Sequence, residues 1–413
     1  MRRILVSLLT LSLCLPLLVG CKAGNSSSGK KTSDIESHPV YVSEFPVGRS
    51  ASDGFDHAVF DAAIMGLVLN NVTENQLISL SSLYFALSSV TPIAGGSTKS
   101  QLLSLLGATN EKQLQENIQT LWKSQFYHTQ DTTSLIGHSL WINADAVLDE
   151  DALAPLTDNY YTSTYIGKPT NAAFVQAYRD WVNSMTNDLL ADQAAQNGPD
   201  SEMVMQSAST IYFRSAWKEP FLEEATHQET FRTSSKNISV QMMHKTSTYP
   251  YHKNEKFEAA GLPLSDGAVL WLVLPSGGLS PSELVTDSRF TTWLNGPTSE
   301  QTAIQISLPK FDIKSDIKWK ELLPSAGLKD LFDPNLADFP GFDGLYVSRI
   351  DQMARLQIDE AGIQAAAATE VMMTSAADPP ETLQFRLNRP FFFALRDSDG
   401  TLLFAGIVND PTR

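Results

Sequence analysis

Apolar positions recur with two different spacings along this chain. Intervals of three and four residues, which are typical of helices with one buried face, run through 56–69, 77–90, 99–106 and 178–190. Short apolar runs typical of strands cover 138–143, 268–274 and 303–308. The two patterns are interleaved along the sequence, so we predict an α+β fold.

The stretch 359–380 has a pattern of its own. In an extended conformation, one face would carry Ile363, Ala365, Ala367, Thr369, Val371 and Met373, and the other Gln364, Ala366, Ala368, Glu370 and Met372. The first face has no charge, and no proline interrupts the run before Pro379, so the segment could pair as a strand with one buried face. Four consecutive alanines instead favour a helix, and a surface loop of low complexity remains an alternative.

The amino terminus has the features of a secretory signal. Two arginines precede an apolar run from Ile4 to Val19, which is too short for an ordinary membrane span. The run ends in Leu-Val-Gly-Cys21, the pattern of a bacterial lipoprotein cleavage site. We therefore expect residues 1–20 to be removed, Cys21 to be lipidated, and the chain to be secreted and anchored to the bacterial cell envelope, at the outer membrane or cell surface. An ordinary signal peptide with a chance cysteine is the alternative.

The next stretch, 21–51, is rich in Ser, Gly, Lys and Thr and is predicted to be a flexible tether. No second linker follows, so we expect residues 52–413 to form a single domain. The only other cysteine, Cys14, lies in the signal. The mature domain would then hold no disulfide and no reactive thiol.

Charge and motif content argue against several functional classes. The formal net charge is −16, and removal of Arg2 and Arg3 with the signal makes it −18. Basic residues form no run long enough for a nucleic-acid footprint. The seven histidines are scattered without metal-ligand spacing, and no Gly-x-Ser-x-Gly elbow is present. We therefore expect neither an enzyme, nor a metal site, nor a cofactor.

Several longer motifs occur in one order. They are Asn75-Gln-Leu-Ile-Ser-Leu-Ser-Ser82, Tyr212-Phe-Arg-Ser-Ala-Trp-Lys-Glu-Pro-Phe221, Leu308-Pro-Lys-Phe311, the alanine-rich stretch after Gly362, and Asn388-Arg-Pro-Phe-Phe-Phe393. Together they resemble the serpins, a family of suicide inhibitors of proteases, over nearly the whole chain from Phe55. Leu80 departs from the family pattern, which has proline there. The resemblance implies a large mixed β-sheet with smaller sheets, eight to nine helices, and an exposed reactive-centre loop at about 360–380.

The resemblance also implies a set of functional residues. The reactive bond would be Ala376–Ala377, with Met372–Met373 as an alternative because the loop is about three residues longer than usual. The hinge, where the loop leaves the sheet, would comprise Glu360, Gly362, Ile363, Ala365, Ala366, Ala367, Ala368 and Thr369. Trp217 and Lys310 would support the loop-entry site, with Lys310 pairing with Glu360. Ser79, Ser82, Ser209 and Gln352 would form the sheet-opening site.

These assignments imply a function and a partner. The chain would be a monomer that inhibits serine proteases, with cysteine proteases as additional targets, by loop cleavage, acyl-enzyme trapping and insertion of the loop into the central sheet. Alanine at the reactive bond suits elastase-like or subtilisin-like enzymes. Ile363 replaces the usual Thr or Ser and predicts slower insertion. Ser209 and Gln352 replace an Asn–His pair, and we expect a hydrogen bond between them without pH sensitivity near pH 6. A serpin-fold lipoprotein that binds without inhibiting is the alternative.

Overall fold

The structure is a computed structural model, and it describes residues 30–32, 35–40, 46, 57–147, 149–315, 317–364 and 382–413. Strands are numbered β1–β19 and α-helices α1–α10 in chain order. The helices are α1 (Ala58–Leu69), α2 (Leu80–Val90), α3 (Gly96–Leu105), α4 (Glu111–Gln125), α5 (Ala154–Tyr160), α6 (Ala172–Thr186), α7 (Ala191–Gln196), α8 (Pro281–Leu284), α9 (Ser288–Asn295) and α10 (Trp319–Leu322). Six short 3-10 helices lie at Thr91–Ile93, Ala144–Ala146, Glu150–Leu153, Glu223–Ala225, Leu323–Ala326 and Asp330–Phe332.

A large mixed sheet runs through the molecule. Its strands are β1 (Lys30–Thr32), β2 (Ile35–His38), β4 (Phe126–His128), β5 (Thr132–Asn143), β6 (Thr162–Gly167), β7 (Met205–Ala216), β13 (Phe311–Lys314), β14 (Val347–Met353), β15 (Arg355–Ile358) and β16 (Gly362–Ile363). The order across the sheet is β1-β2-β6-β5-β7-β16-β15-β13, with β14 also paired to β7 and β4 to β5. Strand β7 therefore has different neighbours along its length.

The second sheet holds the remaining strands. These are β3 (Gln76–Ile78), β8 (Thr226–Arg232), β9 (Asn237–Lys253), β10 (Phe257–Pro263), β11 (Val269–Pro275), β12 (Glu300–Pro309), β17 (Leu383–Arg386), β18 (Phe391–Arg396) and β19 (Leu402–Val408). Their order is β17-β12-β9-β10-β11-β18-β19-β3, with β8 on β9. Strand β17, the first element described after the gap at 365–381, joins β12 in parallel.

Two large apolar cores hold these layers together. One contains the buried faces of α1 and α2 and reaches Trp271 of the second sheet. The other lies between the two sheets and includes Ile363. A smaller cluster, centred on Trp141 and Tyr178, packs α6 against the large sheet. The predicted α+β architecture with a large mixed sheet is confirmed, with ten α-helices among the described residues, two of them single turns, where we expected eight or nine.

Element bounds differ from the sequence patterns where long-range pairing or capping intervenes. Residues 76–78 form strand β3 because they pair with β19, so helix α2 begins only at Leu80. Helix α6 covers Ala172–Thr186 rather than 178–190. Asn171 accepts a hydrogen bond from the Ala173 amide at its start, and Asn187 ends it in the left-handed conformation.

The predicted tether is wrong in part. Residues 30–32 and 35–38 form a hairpin, β1–β2, that pairs antiparallel with edge strand β6 of the large sheet. Backbone pairing with an open sheet edge needs little from the side chains, which is why a composition rich in polar residues concealed it. Among the described residues, no helix is long and apolar enough to span a membrane.

Candidate functional site

The hinge begins as a strand inside the large sheet. Gly362 and Ile363 form β16, which pairs antiparallel with Ala216 and Ser215 of β7 and with Ile358 of β15. Ile363 is fully buried. Farther down the sheet β7 pairs instead with β14, in parallel, from Met205 to Thr210. The sheet thus already holds two residues of the segment between β7 and β15, and is closed below them.

Gly362 is required by its close fit against β7. Its φ is +154°, in the region that side-chain-bearing residues rarely adopt. A Cβ at this position would collide with the Ser215 carbonyl oxygen and lie 2.8 Å from the Ala216 Cα. These are backbone atoms of a central strand, so they have little freedom to move aside. Any residue but glycine would push β16 away from β7.

Gln364 ends the inserted strand. Its φ is +50°, which turns the chain away from the strand direction. Its backbone amide donates to the Gln357 carbonyl oxygen at 3.0 Å. Its side-chain Nε2 donates to the Arg355 carbonyl oxygen at 2.7 Å. The side chain thus covers a β15 carbonyl that a longer β16 would otherwise satisfy.

Trp217 holds the hinge from below with two hydrogen bonds. Its backbone amide donates to the Ala361 carbonyl oxygen, at 2.9 Å, and its indole Nε1 donates to the Asp359 carbonyl oxygen, at 2.9 Å. The ring is buried and packs edge-on against Phe221. The Phe221 amide in turn donates to the Glu360 carbonyl oxygen at 2.9 Å. The loop-entry site is therefore built from the turn that follows β7.

The predicted ion pair between Lys310 and Glu360 is present. Lys310 Nζ lies 2.7 Å from Glu360 Oε2, and the Thr226 hydroxyl donates to Oε1 at 2.8 Å. Burial would raise the pKa of Glu360, but the hydrogen bonds from Lys310 and Thr226 outweigh it and lower the pKa. The carboxylate is thus ionised at neutral pH and ties the hinge to the strand ends of the second sheet.

The sheet-opening residues lie together, but their bonding differs from our expectation. Gln352 and Ser209 are paired in strand register, yet the Gln352 amide bonds to the Ser79 main chain, accepting from its N–H at 3.2 Å and donating to its carbonyl at 2.6 Å. The Ser209 hydroxyl donates to the Asp351 carbonyl oxygen at 3.4 Å. Our prediction of a hydrogen bond between Ser209 and Gln352 is therefore wrong. The Gln352 side chain leaves the plane of the sheet and bonds to Ser79, the residue at the start of helix α2.

Ser79 and Ser82 explain where that helix starts. The Ser79 hydroxyl accepts a hydrogen bond from the Ser82 amide at 3.3 Å, as an N-cap. Both serines are fully buried. Gln352 therefore ties strand β14 to the buried end of α2, so parting of β7 from β14 takes place beside a fixed helix end.

Sequence reasoning missed a buried histidine next to this site. His138 on β5 is the register partner of Ser209 and is only 1% exposed. Its ring nitrogens lie 3.2 Å from the Thr162 hydroxyl and 2.9 Å from the Ser207 hydroxyl. Burial lowers the pKa of His138 to about 3. The available signal was a lone histidine among apolar and hydroxyl residues of one strand.

The remaining candidate residues lie outside the described residues. They are Cys21, Ala365, Ala366, Ala367, Ala368, Thr369, Met372, Met373, Ala376 and Ala377. In the part of the chain that the structure covers, no three His, Cys, Asp or Glu residues are grouped so as to hold a metal ion. The described part of the site consists of a sheet, a two-residue insertion and the contacts that hold it.

Comparisons with known proteins agree with this architecture. Residues 62–411 match the family model of the serpins, described as serine protease inhibitors. The chain is 27% identical to the plasma serine protease inhibitor of Mus musculus over 97% of this chain and 98% of that protein. It is 30% identical to antithrombin-III of Homo sapiens over 57% of this chain and 53% of that protein.

Solved structures with the same fold include the thermophilic serpin tengpin in its native state, with a TM-score of 0.78 and 24% identity over 88% of this chain and 97% of that one. Thyroxine-binding globulin in complex with thyroxine has a TM-score of 0.76 and 22% identity over 87% of this chain and all of the other. Relatives named as protease inhibitors support protease inhibition as the general function. This chain belongs to the serpin family.

Proposed function

We propose that this protein is a suicide inhibitor of serine proteases whose reactive loop, once cleaved, becomes a central strand of the large sheet. The observation that carries the proposal is the position of Gly362 and Ile363 between β7 and β15. A strand that is antiparallel to both neighbours can lengthen only by parting β7 from β14 below it. The hinge is thus the first segment of that strand.

The register of β16 supports a definite end point. Continuing it one residue at a time would pair Thr369 with Ser209 and Met373 with Met205, the first residue of β7. The segment from Gly362 to Met373 would then match all 12 residues of β7. Alternation from the buried Ile363 would place Thr369, Val371 and Met373 toward the core. Gly362–Met373 is therefore the segment that we expect to insert.

The gain in free energy from such an insertion is large. Gly362 and Ile363 are already paired in the sheet, so about ten further residues gain sheet hydrogen bonds; at about 1 kcal/mol net each, these give on the order of 10 kcal/mol. Burial of Val371 and Met373 adds roughly 3–5 kcal/mol. Small side chains at Ala365 to Ala368 lower the barrier to insertion, because strands β7 and β14 have to separate only slightly to admit them. Ile363 is already inside the sheet, so its size hinders the start of insertion less than we expected from its sequence position.

The same register favours Ala376–Ala377 as the reactive bond. Ala376 lies three residues beyond Met373, so after full insertion it would emerge past the end of β7. An acyl link at Met372 would instead fall inside the new strand, opposite Gln206 by register, and would halt insertion before the strand was complete. Trapping requires that the protease travel the full length of the sheet, which only the first bond allows.

The chemical step uses the catalytic residues of the protease. Its serine Oγ attacks the carbonyl carbon of Ala376, an ester forms, the C–N bond to Ala377 breaks, and the proton from the serine passes to the new amino group. Loop insertion then drags the acylated protease to the far end of the sheet and distorts its active site. The ester is not hydrolysed, so inhibitor and protease remain covalently joined.

Residue types around the bond favour a class of target. Alanine at position 376 suits elastase-like or subtilisin-like primary pockets, and no Lys or Arg lies between Gly362 and Arg386. Trypsin-like enzymes are therefore poor targets. Cysteine proteases, which form an analogous thioester, would be a second class of target. The inhibitor would act as a monomer and would need no cofactor.

Substitution at the reactive bond tests two parts of the proposal, the position of the bond and the class of protease that it attracts. The unmodified protein incubated with pancreatic elastase should form a complex that survives SDS, with cleavage after Ala376. Ala376→Arg should transfer this behaviour from elastase to trypsin. Met372→Arg, with the same charge change, should be cut by trypsin without a stable complex. If Met372→Arg formed a stable complex with trypsin and Ala376→Arg did not, the reactive bond would be Met372–Met373 instead.

A non-inhibitory binding protein is the alternative, and thyroxine-binding globulin, similar in fold, is a solved complex with a small ligand. Clean cleavage by elastase without any complex and without stabilisation would favour this alternative.

We also propose that Cys21 carries the lipid that anchors the inhibitor to the cell envelope. In a bacterial host fed labelled fatty acid, the protein should carry the label in the membrane fraction, and Cys21→Ser should abolish labelling. Equal labelling of Cys21→Ser would contradict the anchor without affecting inhibition.

A further inference from the structure

Strand β14 carries a buried carboxylate, that of Asp351, at the place where the large sheet must open. The residue is only 7% exposed. It precedes Gln352, and successive residues of a strand point to opposite faces of a sheet. Gln352 bonds to Ser79 at the start of helix α2, whereas Asp351 bonds to Tyr178 of helix α6 on the other face. Asp351 is therefore a contact separate from the one made by Gln352.

Three side chains donate hydrogen bonds to the Asp351 carboxylate. Arg349 Nε, on the same strand, lies 2.6 Å from Oδ1. The Tyr178 hydroxyl lies 2.8 Å from Oδ2, and the Gln206 amide of β7 also donates to Oδ2. Arg349 Nη2 in turn donates to the side-chain oxygen of Asn197, between α7 and β7, at 2.6 Å. The bonds to Tyr178, Gln206 and Asn197 join β14 to the chain that runs from α6 to β7.

These three partners lie on the β5–β7 side of the opening. The Tyr178 ring packs edge-on against Trp141 of β5, with the ring centroids 5.3 Å apart. Gln206 Nε2 also donates to the Asn197 carbonyl oxygen at 2.9 Å. A strand inserted between β7 and β14 would move the two apart by one strand spacing, about 4.8 Å. The bonds from Asp351 to Gln206 and Tyr178 would then be broken, a step that rests on the proposed function.

Loss of these bonds is costly because the carboxylate is buried. Burial raises the pKa of Asp351, and Arg349, Tyr178 and Gln206 act against that rise. Two of these three groups lie across the opening. Hydrogen bonds to a charged group are stronger than those between neutral groups, and a buried charge that loses its partners is strongly destabilising. The carboxylate therefore opposes separation of β14 from β7.

We propose that Asp351 is a positioning residue for inhibition, whose carboxylate holds β14 to α6 and β7 and so sets how readily the loop inserts. We call Asp351, Arg349, Tyr178 and Gln206 the latch. The latch stabilises the closed sheet but not the sheet that contains the inserted loop. It acts on the opening step, whereas Gly362 and Trp217 act on the hinge.

The register of β16 adds a second carboxylate to the inserted state. Ile363 pairs with Ser215 of β7 and with Ile358 of β15. Continuing either pairing brings Glu370, which lies outside the described residues, to the level of Asp351. Residues opposite each other on neighbouring strands project to the same face, and like charges there are destabilising. Insertion would thus replace the latch bonds of Asp351 by repulsion.

Hydrogen exchange of the intact protein tests the latch without a protease. Asp351→Asn keeps the size of the side chain and removes its charge. Tyr178→Phe removes only the hydroxyl and keeps the ring against Trp141. Each variant should speed exchange of the β14 amides, residues 347–353, by about tenfold. Exchange in β18 should stay as it is.

The matched control is Asp312→Asn. Asp312 of β13 pairs with Arg355 of β15, with Arg355 Nε 2.8 Å from Asp312 Oδ1. This variant also removes a carboxylate from an arginine, but β13 and β15 lie on the same side of the opening, so exchange in β14 should not change. Unchanged exchange in both latch variants, or equal acceleration by the control, would overturn the latch.

Melting temperatures separate a latch from an ordinary structural role. Asp351→Asn should lower the melting temperature of the intact protein by a few degrees. In protein cleaved at Ala376–Ala377 the melting temperature should stay the same or rise, because the latch bonds are already broken. Equal losses in both forms would mean that Asp351 only supports the fold. If cleavage does not stabilise the unmodified protein, the proposed function fails, and hydrogen exchange still decides whether the latch holds the intact sheet.

Discussion

At the scale of single residues, Gly362 is the position where geometry leaves the least choice. An added Cβ would meet the backbone of Ser215 and Ala216. We predict that Gly362→Ala expels β16 from the sheet, at a cost of about 1–3 kcal/mol. The start of insertion would then be less populated, and the ratio of stable complex to cleaved inhibitor should fall by about tenfold.

The matched control is Gly66→Ala in helix α1, where an added Cβ would meet nothing within 4 Å. Its ratio of complex to cleaved product should be unchanged. A ratio unaffected by Gly362→Ala would mean that the inserted hinge has no part in trapping.

His138 gives the protein a pH dependence of stability. Its pKa is lowered by burial to about 3, against about 6.5 in the unfolded chain. Between these values the unfolded state binds the proton and the folded state does not, so stability falls as pH falls. From pH 7 to pH 5 this residue should cost about 2 kcal/mol.

Denaturant unfolding of the unmodified protein and of His138→Gln at both pH values measures this. The glutamine variant should lose about 2 kcal/mol less over the same interval. Parallel losses in the two proteins would contradict the assignment. His138 lies on β5 and contacts β6 and β7, so it is not between strands β7 and β14, which must separate. Our expectation that sheet opening is insensitive to pH near 6 therefore stays a prediction.

At the scale of elements, the register of β16 makes opposite predictions for neighbouring positions. Thr369 would face the core after insertion, and Glu370 would face outward. Thr369→Arg should therefore block insertion and convert the inhibitor into a substrate, because a buried unpaired charge costs several kcal/mol. Glu370→Arg carries an arginine on the same strand and should still form the SDS-stable elastase complex. Equal behaviour of the two variants would contradict the register.

Local patterns predicted elements well where side chains decide them. The helical spacing of α1 needed only a buried face. Strand β3, the β1–β2 hairpin and the left-handed turn at Gln364 depend instead on backbone pairing with distant strands. Such pairing leaves no periodic pattern of apolar residues in the sequence. For this reason the sequence analysis placed 77–79 in a helix and 30–38 in a tether.

At the scale of the whole molecule, the resemblance predicted contacts that spacing alone could not. Lys310 and Glu360 are 50 residues apart and meet at 2.7 Å, and only the family pattern pointed to them. Where this chain departs from that pattern, the inference failed: Gln352 bonds to Ser79 instead of Ser209.

The central claim is that the cleaved loop gains free energy by completing the large sheet. The most direct test compares melting temperatures of intact protein and of protein cleaved once at the Ala376–Ala377 bond. Insertion worth on the order of 10 kcal/mol predicts a rise of roughly 20 °C or more, and cleaved Thr369→Arg should show no such rise. A cleaved protein that melts at or below the temperature of the intact one would contradict the account.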